Sequence, residues 1–295
     1  MNTLDIHKPS QIEYSRLNLT HTVLSKRKLI EMVNNKIVLD WDDPRLPTIS
    51  GLRRRGYTSD SILDFCGRIG TNFGNSSNPI IDFTILENCI RKDLEDNAPR
   101  KMVVINPLKV NIVNLTEIKE VYLKDFPNLG KDSPIRKINV GHIVYIEKED
   151  FRSENIKGYY RMAPGKIVLL KYFGFIKYLS HTESELFVEL LPEDYKPTCA
   201  IKGILNWVSE IDHVTVNINE YGYLFSKEIS KDWKSSLNIA SVKSIEAKSE
   251  RSILDTKYGN RFQFERVGYY SLDKESKEDR IVLNSIVKLK QDKRK

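Results

Sequence analysis

The stretch KIVLLKYFGFIKYLSHTESELFVELL, residues 166–191, decides the fold class. It consists of short runs rich in β-branched and aromatic residues, and Lys171 and Lys177 interrupt its apolar character. Such runs are typical of β-strands, and the interruptions leave no apolar segment of the roughly 18 to 20 residues that a membrane-spanning helix requires. We therefore expect strands here, with turns between them.

The same pattern extends over the chain from about residue 102 onward. Eight runs show it: MVVI, HIVYIE, KIVLLKYFGFIKYL, SELFVELL, KGILNWVS, HVTVNI, RFQFERVGYYSLD and RIVLNSIVKL. No convincing helical pattern separates them, and a long series of short strands is typical of antiparallel barrels. No internal repeat of roughly 20 to 50 residues is visible, and two similar barrels would not need to show one. This part of the sequence predicts one or two antiparallel β-barrels.

The first hundred residues carry helical signals instead. Thr58 and Asp60 supply helix-capping side chains ahead of an apolar run that Gly70 can end. A second predicted helix starts near Asp82, places apolar residues on one face and ends before Pro99. The predicted fold class is therefore mainly β with an α-helical N-terminal region.

Charge and cysteine content narrow the possible functions. The 295 residues carry a formal net charge of +7 and a pI of about 9.0, which favours an anionic partner such as nucleic acid. Cys66, Cys89 and Cys199 stand far apart with no close histidine, so neither a zinc site nor a disulfide framework is predicted. The N-terminal stretch MNTLDIHKPSQIEYSR has no apolar signal-peptide core, and we expect a cytoplasmic protein.

Two basic clusters lie in the N-terminal region. Ser25-Lys26-Arg27-Lys28 fits either the solvated start of a helix or a loop whose Lys26 reaches a triphosphate and stabilises charge on leaving pyrophosphate. In PTISGLRRRGYT the three successive arginines cannot all point inward, so part of that run should face solvent or a polyanion. In the preceding WDDPR, an acid could hold Arg45 by a forked ion pair.

Five stretches together resemble the glutaminyl-tRNA synthetase family in order and spacing. They are EYSRLNL, TVLSKRKL, WDDPRLPTISGLRRRGYT, CIRKDLEDNAPRKMVVINPLK and FQFERVGYYSLD. The resemblance covers nearly the whole chain. It implies a class I aminoacyl-tRNA synthetase, which makes glutaminyl-adenylate from glutamine and ATP and then moves the acyl group to tRNA(Gln). It also implies two anticodon-binding β-barrels behind a helical connecting domain, Mg²⁺ on the ATP phosphates, and a monomer. The residues themselves predict no metal held by the protein and no membrane partner.

The resemblance assigns an ATP site by position. The run VLSKR, residues 23–27, resembles the second ATP signature of the family, and Lys26 is its catalytic residue. Leu24 stands where methionine is more frequent, which is a mild apolar exchange. The implied ATP-binding residues are Arg16, Leu17, Leu24, Ser25 and Lys26.

The resemblance also assigns tRNA contacts. Residues 71–82 correspond to the contact with the inner corner of the tRNA, although TNFGNSSNPIID is longer than usual. Tyr160 stands where a lysine is common, and a ring can stack on a base but cannot neutralise a phosphate. Planar arginine and glutamine side chains suit splayed-out bases because they can bond two edge atoms at once. The implied anticodon-facing residues are Arg100, Arg161, Lys171, Gln263 and Arg266.

The first signature of the family, His-x-Gly-His, has no counterpart among the five histidines. We therefore expect a C-terminal portion of the enzyme that is inactive alone, with glutamine bound by a preceding part. Two alternatives remain open. One is a glutamyl-tRNA synthetase of the same architecture, which shares SKRKL and WDDPR, and the other is a tRNA-binding module or the separate half of a split synthetase.

The expected domains are a catalytic remnant over 1–40, a helical connecting domain over 41–100 and two barrels over 101–295. Residues 1–24 are expected to be poorly ordered, because Leu17, Leu19 and Val23 would lack the sheet that covers them in the family.

Overall fold

A computed structural model describes residues 10–11, 14, 16–70, 79–198, 201–230 and 232–290. Most of the predicted inner-corner segment, most of residues 1–15, and Cys199 lie outside these ranges. The α-helices are α1 (Lys26–Asn34), α2 (Ile49–Arg55), α3 (Ser59–Ile69) and α4 (Thr84–Asn97). Short 3-10 helices span Pro127–Asp132, Lys148–Asp150, Trp233–Ser236 and Arg251–Asp255. None of the described helices combines the length and apolar character needed to cross a bilayer.

The strands of the first half are β1 (Asn18–Leu19), β2 (Ile80–Ile81), β3 (Arg100–Lys101), β4 (Val103–Val104), β5 (Pro107–Ile112), β6 (Lys119–Lys124), β7 (Ile135–Val140) and β8 (Ile143–Glu147). Those of the second half are β9 (Ile167–Leu170), β10 (Gly174–His181), β11 (Glu185–Leu190), β12 (Ile204–Leu205), β13 (Val208–Ser209), β14 (His213–Tyr221), β15 (Val242–Glu250), β16 (Arg261–Phe264), β17 (Gly268–Leu272) and β18 (Ile281–Lys288).

Both predicted helices are confirmed. The Thr58 side chain caps α3 by accepting a hydrogen bond from the Ser61 amide at 3.1 Å, and the helix ends before Gly70. Helix α4 ends two residues before Pro99. The apolar face predicted for α4 is buried and consists of Leu86, Cys89, Ile90 and Leu94.

Two further helices occupy the basic clusters. Helix α1 begins at Lys26, and the side chain of its N-cap Ser25 makes no capping hydrogen bond. Helix α2 carries the three arginines in its last turn, where positive charge is favourable next to the carbonyl end of the helix dipole. It stops at Gly56, whose φ of +112° and close approach to Ile286 leave no room for a Cβ atom.

The N-terminal part described here is better packed than expected. Strand β1 pairs in parallel with β2, so the backbone around Leu19 has a partner. Leu19 is buried against the helices, and Val23 is buried against α1. The expectation that these apolar residues lack a covering surface is therefore wrong for residues 16–24.

Two seven-stranded sheets dominate the structure, and each curls into a barrel. The first, which we call the inserted barrel, spans residues 107–209 in the order β12-β9-β10-β11-β5-β8-β13. The second, which we call the outer barrel, combines residues 100–104 with residues 213–288 in the order β3-β16-β17-β18-β14-β15-β4. The chain thus begins the outer barrel, completes the inserted barrel and then returns.

Each barrel closes through a single short segment. Residues 204–209 pair in parallel with β9 on one side and antiparallel with β8 on the other. Residues 100–104 pair in the same way with β16 and β15. We call these two stretches the closing segments. Because both edges of each sheet bond to the same stretch of chain, few backbone groups are left unpaired at an open edge.

The two barrels share one topology. Strand β11 runs parallel to β5 as β18 runs parallel to β14, and the remaining pairings also correspond. Only the closing segment differs, because it follows its barrel in one case and precedes it in the other. The prediction of antiparallel barrels therefore needs one correction, because each sheet contains two parallel pairings. One joins the closing segment to an edge strand, and the other joins two strands that do not follow each other in sequence.

Separate hydrophobic cores fill the barrels. The inserted barrel buries Val110, Val144, Ile176 and Trp207 among others, and the Trp207 indole N–H donates to the Lys171 carbonyl at 2.8 Å. The outer barrel has its own cluster, which includes Val216, Phe262, Phe264, Tyr270 and Leu283. Alternate side chains of the strands supply both cores, as expected for curled sheets.

Two buried ion pairs occur in this region, and the second joins α2 to the outer barrel. The Asp43 carboxylate receives a forked pair from Arg45 at 2.9 and 2.8 Å, which confirms the predicted fork. Arg54 forms a second fork with Asp273, at 3.0 and 3.1 Å, and also contacts Glu275 and Asp42. Of the three arginines only Arg53 is exposed, so the expectation that they cannot all point inward is confirmed.

We expect Asp273→Asn to destabilise the protein by about 3 kcal/mol, because it leaves the buried Arg54 guanidinium without its main counterion. Urea denaturation at pH 7 measures the change. The matched control is Glu275→Gln, which removes a partner of Arg54 that is 61% exposed and should cost below about 1 kcal/mol. Similar losses for the two variants would contradict the assignment.

We expect the free energy of unfolding to fall as the pH drops below about 4. Burial works to raise the pKa of Asp43 and of Asp273, but hydrogen bonds from arginine and from backbone amides outweigh it and hold each pKa below the ordinary 3.8. Their contribution is therefore complete above that value and is lost as pH falls through the lowered folded-state pKa. Acid titration of stability should show a shallower fall in Asp43→Asn than in the wild type. Equal slopes would disprove this role.

Candidate nucleic-acid interface

The five residues assigned to ATP lie on two neighbouring segments. Leu24, Ser25 and Lys26 form the start of α1, where Lys26 is exposed and the first backbone N–H groups point outward without helical partners. An exposed helix start with a lysine suits a phosphate group. Arg16 is exposed, and Leu17 packs against the cluster around α4. Within the described residues no hydrogen bond joins these two segments.

Helix α1 packs against the segment that connects β14 and β15 of the outer barrel, residues 222–241. Leu29 and Met32 of α1 share a hydrophobic cluster with Phe225 and Trp233. Beside it the His21 ring stacks on Tyr223 with centroids 3.9 Å apart and planes 7° from parallel. The position of the basic helix start is therefore fixed by the same barrel that carries Gln263 and Arg266.

Two of the anticodon-assigned arginines converge on one carboxylate. Asp150 is fully buried and accepts hydrogen bonds from Arg161 and, at 2.8 and 3.0 Å, from both terminal nitrogens of Arg266. Burial works to lower the pKa of Arg266, but the Asp150 carboxylate raises it above its ordinary value. Each arginine side chain remains 32% exposed. Asp150 thus holds two guanidinium groups side by side while leaving part of each accessible.

A cavity of about 850 Å³ opens at these arginines, between the two barrels. Its lining includes Arg161 and Arg266, with Asn206 from a closing segment and Glu265 from the turn after β16. Arg266 has a φ of +65°. Residues other than glycine rarely adopt this backbone conformation, and it recurs at functional sites. The cavity is large enough for a nucleobase, and its wall combines hydrogen-bonding groups with apolar side chains such as Val103 and Val267.

Lys171 lies at the edge of the same region but has a partner. Its ammonium group pairs with the buried Glu265 carboxylate, which also accepts from the Tyr172 hydroxyl at 3.1 Å. Burial acts to lower the pKa of Lys171, and Glu265 raises it. The positive charge of Lys171 is therefore largely neutralised within the protein.

Arg100 and Gln263 form a second location. They are Cα partners in the parallel pairing of β3 with β16, so their side chains emerge next to each other. The Arg100 Nη1 and the Gln263 Oε1 are buried and have no hydrogen-bond partner in the described structure. Arg100 also lines a separate cavity of about 160 Å³ beside Phe126. These two paired residues thus supply one buried donor atom and one buried acceptor atom without partners among the described residues.

The structure therefore divides the predicted anticodon set into two groups, and it adds residues that sequence reasoning missed. Asp150, Glu265 and Asn206 were not singled out. Glu265 could have been found from the sequence, because it stands between Gln263 and Arg266 in FQFERV. Asp150 gave no signal, because an acid in EKEDF resembles a solvated turn until two distant arginines are known to meet it.

Three family models match the chain. Residues 1–96 match the catalytic domain of class I tRNA synthetases (E and Q), and residues 98–190 and 204–273 match two anticodon-binding domains of the same class. The second match covers β5–β11 together with β3 and β4, and the third covers the closing segment 204–209 and β14–β17 of the outer barrel.

Curated relatives agree with these matches. The chain is 38% identical to a probable glutamine–tRNA ligase of Dictyostelium discoideum over all of its length and 39% of the relative's. It is 41% identical to a cytoplasmic glutamine–tRNA ligase of Arabidopsis thaliana, covering 98% of the chain and 38% of the relative. It is 38% identical to a glutamine–tRNA ligase of Pasteurella multocida, covering 96% and 52%. The chain thus spans between about two fifths and one half of the relatives it matches, and it belongs to the class I (E and Q) tRNA synthetase family, as a portion similar to glutamine–tRNA ligases.

Proposed function

We propose that this chain is the ATP-loop and anticodon-reading portion of a glutamine–tRNA ligase. That enzyme joins glutamine to ATP as glutaminyl-adenylate and transfers the acyl group to tRNA(Gln). The proposal is supported by the relatives' names and by one geometric observation, the convergence of Arg161 and Arg266 on Asp150 at a cavity between two barrels. The expected domains are those at 1–40, 41–100 and 101–295, the location is the cytoplasm and the protein is a monomer.

The Asp150 group is suited to read a base rather than to hold the backbone. Three ionised side chains share one net positive charge, so the group attracts a phosphate less than two free arginines would. Each guanidinium has five N–H donors in a fixed plane, and Asp150 engages three donors in total. The remaining donors of Arg161 and Arg266 can bond the edge of a base that leaves its stack and enters the cavity.

Arg100 and Gln263 would read a different base. A buried donor next to a buried acceptor is complementary to a base edge that presents an acceptor beside a donor. Leaving both groups unpaired costs free energy in the absence of RNA, and a matching base recovers that cost. A base with the wrong edge leaves them unpaired, which is how such a pair discriminates. Lys171 would contribute by holding Glu265 in place beside the first group.

The α1 start would serve the chemistry. Lys26 lies where its ammonium group can approach the phosphates of ATP and stabilise charge as pyrophosphate leaves. The adjacent residues Leu24 and Ser25 position that loop, and Arg16 with Leu17 would hold the adenine end. Mg²⁺, which prefers to keep phosphate oxygens and water as ligands, would accompany the triphosphate.

We expect Arg266→Ala to weaken binding of tRNA(Gln) by about 1 to 3 kcal/mol and to reduce discrimination against a tRNA with a changed anticodon. Filter binding of both RNAs at two salt concentrations measures this. The matched control is Arg251→Ala, which removes an exposed arginine of the outer barrel that does not line the cavity. If both variants lose affinity equally for both RNAs, the arginine contacts only phosphate.

We expect Asp150→Asn to weaken binding of tRNA(Gln) but not binding of the tRNA with a changed anticodon. Removing a negative charge strengthens non-specific attraction, so binding to the changed-anticodon tRNA should hold or rise. Discrimination should fall, because the two guanidinium groups lose the carboxylate that orients them. A variant that loses affinity for both RNAs in parallel, with unchanged discrimination, would contradict the orienting role.

A further inference from the structure

A further cavity, of about 390 Å³, lies where α2, α4 and the outer barrel meet. It borders the anticodon-assigned cavity, since Glu220 and Lys288 line both. The charged residues around it are Arg55, Glu87, Arg91, Glu220, Lys243 and Lys288. None of the functions argued above uses Arg55 or Lys243.

Arg55 is buried in this cavity without a counterion. Its side chain is at the end of α2 and only 8% of the residue is exposed. The Nε atom donates to the Ser285 carbonyl at 3.2 Å, and the guanidinium lies 5.5 Å from the centre of the Tyr221 ring. Across the described residues, neither terminal nitrogen has an acceptor and no carboxylate pairs with the group. A guanidinium cannot release its proton, and an unpaired buried charge is costly.

The nearby carboxylates are committed elsewhere. Glu87 accepts from Arg91 at 3.1 Å and from the Tyr223 hydroxyl at 3.0 Å. Glu220 lies 3.7 Å from the Lys288 ammonium group. Lys243, opposite Glu220 in the pairing of β14 with β15, forms no ion pair in the described part of the chain. Two positive charges, on Arg55 and Lys243, therefore remain uncompensated on the cavity wall.

We propose that this cavity is an anion site that binds a phosphate group through Arg55 and Lys243. The two terminal nitrogens of Arg55 can bond two phosphate oxygens at once, and Lys243 of β15 supplies a second charge to the same cavity. Phosphate can come from the RNA backbone, because the cavity borders the anticodon-assigned one, or from a free anion. The RNA source rests on the proposed function, and the free-anion source does not.

Equilibrium dialysis of the 295-residue chain against radiolabelled inorganic phosphate, in potassium chloride at fixed ionic strength, tests the site. We expect Arg55→Gln and Lys243→Gln each to weaken binding about tenfold, which corresponds to the loss of one charge-assisted hydrogen bond. The matched control is Arg53→Gln, which removes the exposed arginine of the same helix turn and should bind as the wild type does.

Equal phosphate binding by all four proteins would overturn the proposal. It would also be overturned if none of them binds phosphate and Lys243→Gln leaves the salt dependence of tRNA(Gln) binding unchanged. Lys243 is exposed and pairs with no carboxylate of the described residues, so Lys243→Gln keeps the test valid if Arg55→Gln does not fold.

The salt dependence of tRNA(Gln) binding separates the two sources. If the cavity holds a backbone phosphate, Lys243→Gln should lower the slope of log K against log salt by about one, while Arg53→Gln leaves it unchanged. Phosphate binding with an unchanged slope would assign the site to a free anion. If the chain fails to bind tRNA(Gln) at all, the proposed function fails, and the dialysis still decides on the site.

Discussion

Closure of the two barrels is the constraint on which the rest of the structure depends. Each closing segment bonds to one edge strand in parallel and to the other antiparallel, so a few residues complete the backbone hydrogen bonding of a whole sheet. Both segments are interrupted, by Met102 in one case and by Asn206 with Trp207 in the other. At these interruptions the side chains are fully or almost fully buried, so each break in the ladder is filled by packing.

The closing segments also bring the functional side chains together. Arg100 precedes Met102 in one of them, and Asn206 interrupts the other and faces the cavity of Arg161 and Arg266. The Met102 amide donates to Glu250 at 2.9 Å, and the same carboxylate pairs with Arg136, which comes from the β6–β7 hairpin. Buried acids at such junctions, Asp150, Glu250, Glu265 and Asp273, each bind a basic side chain from a distant segment. This pattern fixes orientation more than it adds stability, because burying each charge costs nearly what its pairing returns.

Sequence reasoning recovered those features that hydropathy and local capping encode. Strands with an apolar face, such as β9 and β17, were identified, as were α3 with its Thr58 cap and α4 with its buried stripe. Strand β15 was missed because VKSIEAKSE has almost no apolar side chain on which a periodic pattern could rest. Strands β6 and β7 were missed for a similar reason, since KEVYLK contains three charged residues and IRKINV two. Helix α1 lacks a side-chain cap, so the start at Lys26 could not be told from a loop.

Residue roles were less accessible from sequence than the fold. The family resemblance supplied Arg161 and Arg266 but not the carboxylate that holds them, because long-range charge pairing leaves no periodic trace. Similarly, the run of three arginines gave no indication that, among the described residues, Arg54 has three acidic partners and its neighbour Arg55 has none. The difference arises from the 100° rotation per residue of a helix, which turns adjacent side chains toward different surroundings.

The placement of one barrel inside the chain of the other has a consequence for synthesis of the protein. Strands β3 and β4 leave the ribosome first, yet their partners in the outer barrel lie about 150 residues further along. The inserted barrel can complete all its pairings during this interval, which at about 5 to 20 residues per second lasts on the order of 10 s. During that time the backbone groups of β3 and β4 have no partner strands, although the inserted barrel next to them is already folded. The outer barrel can therefore close only after β15 and β16 have been synthesised, and by then the inserted barrel has had time to complete its own pairings.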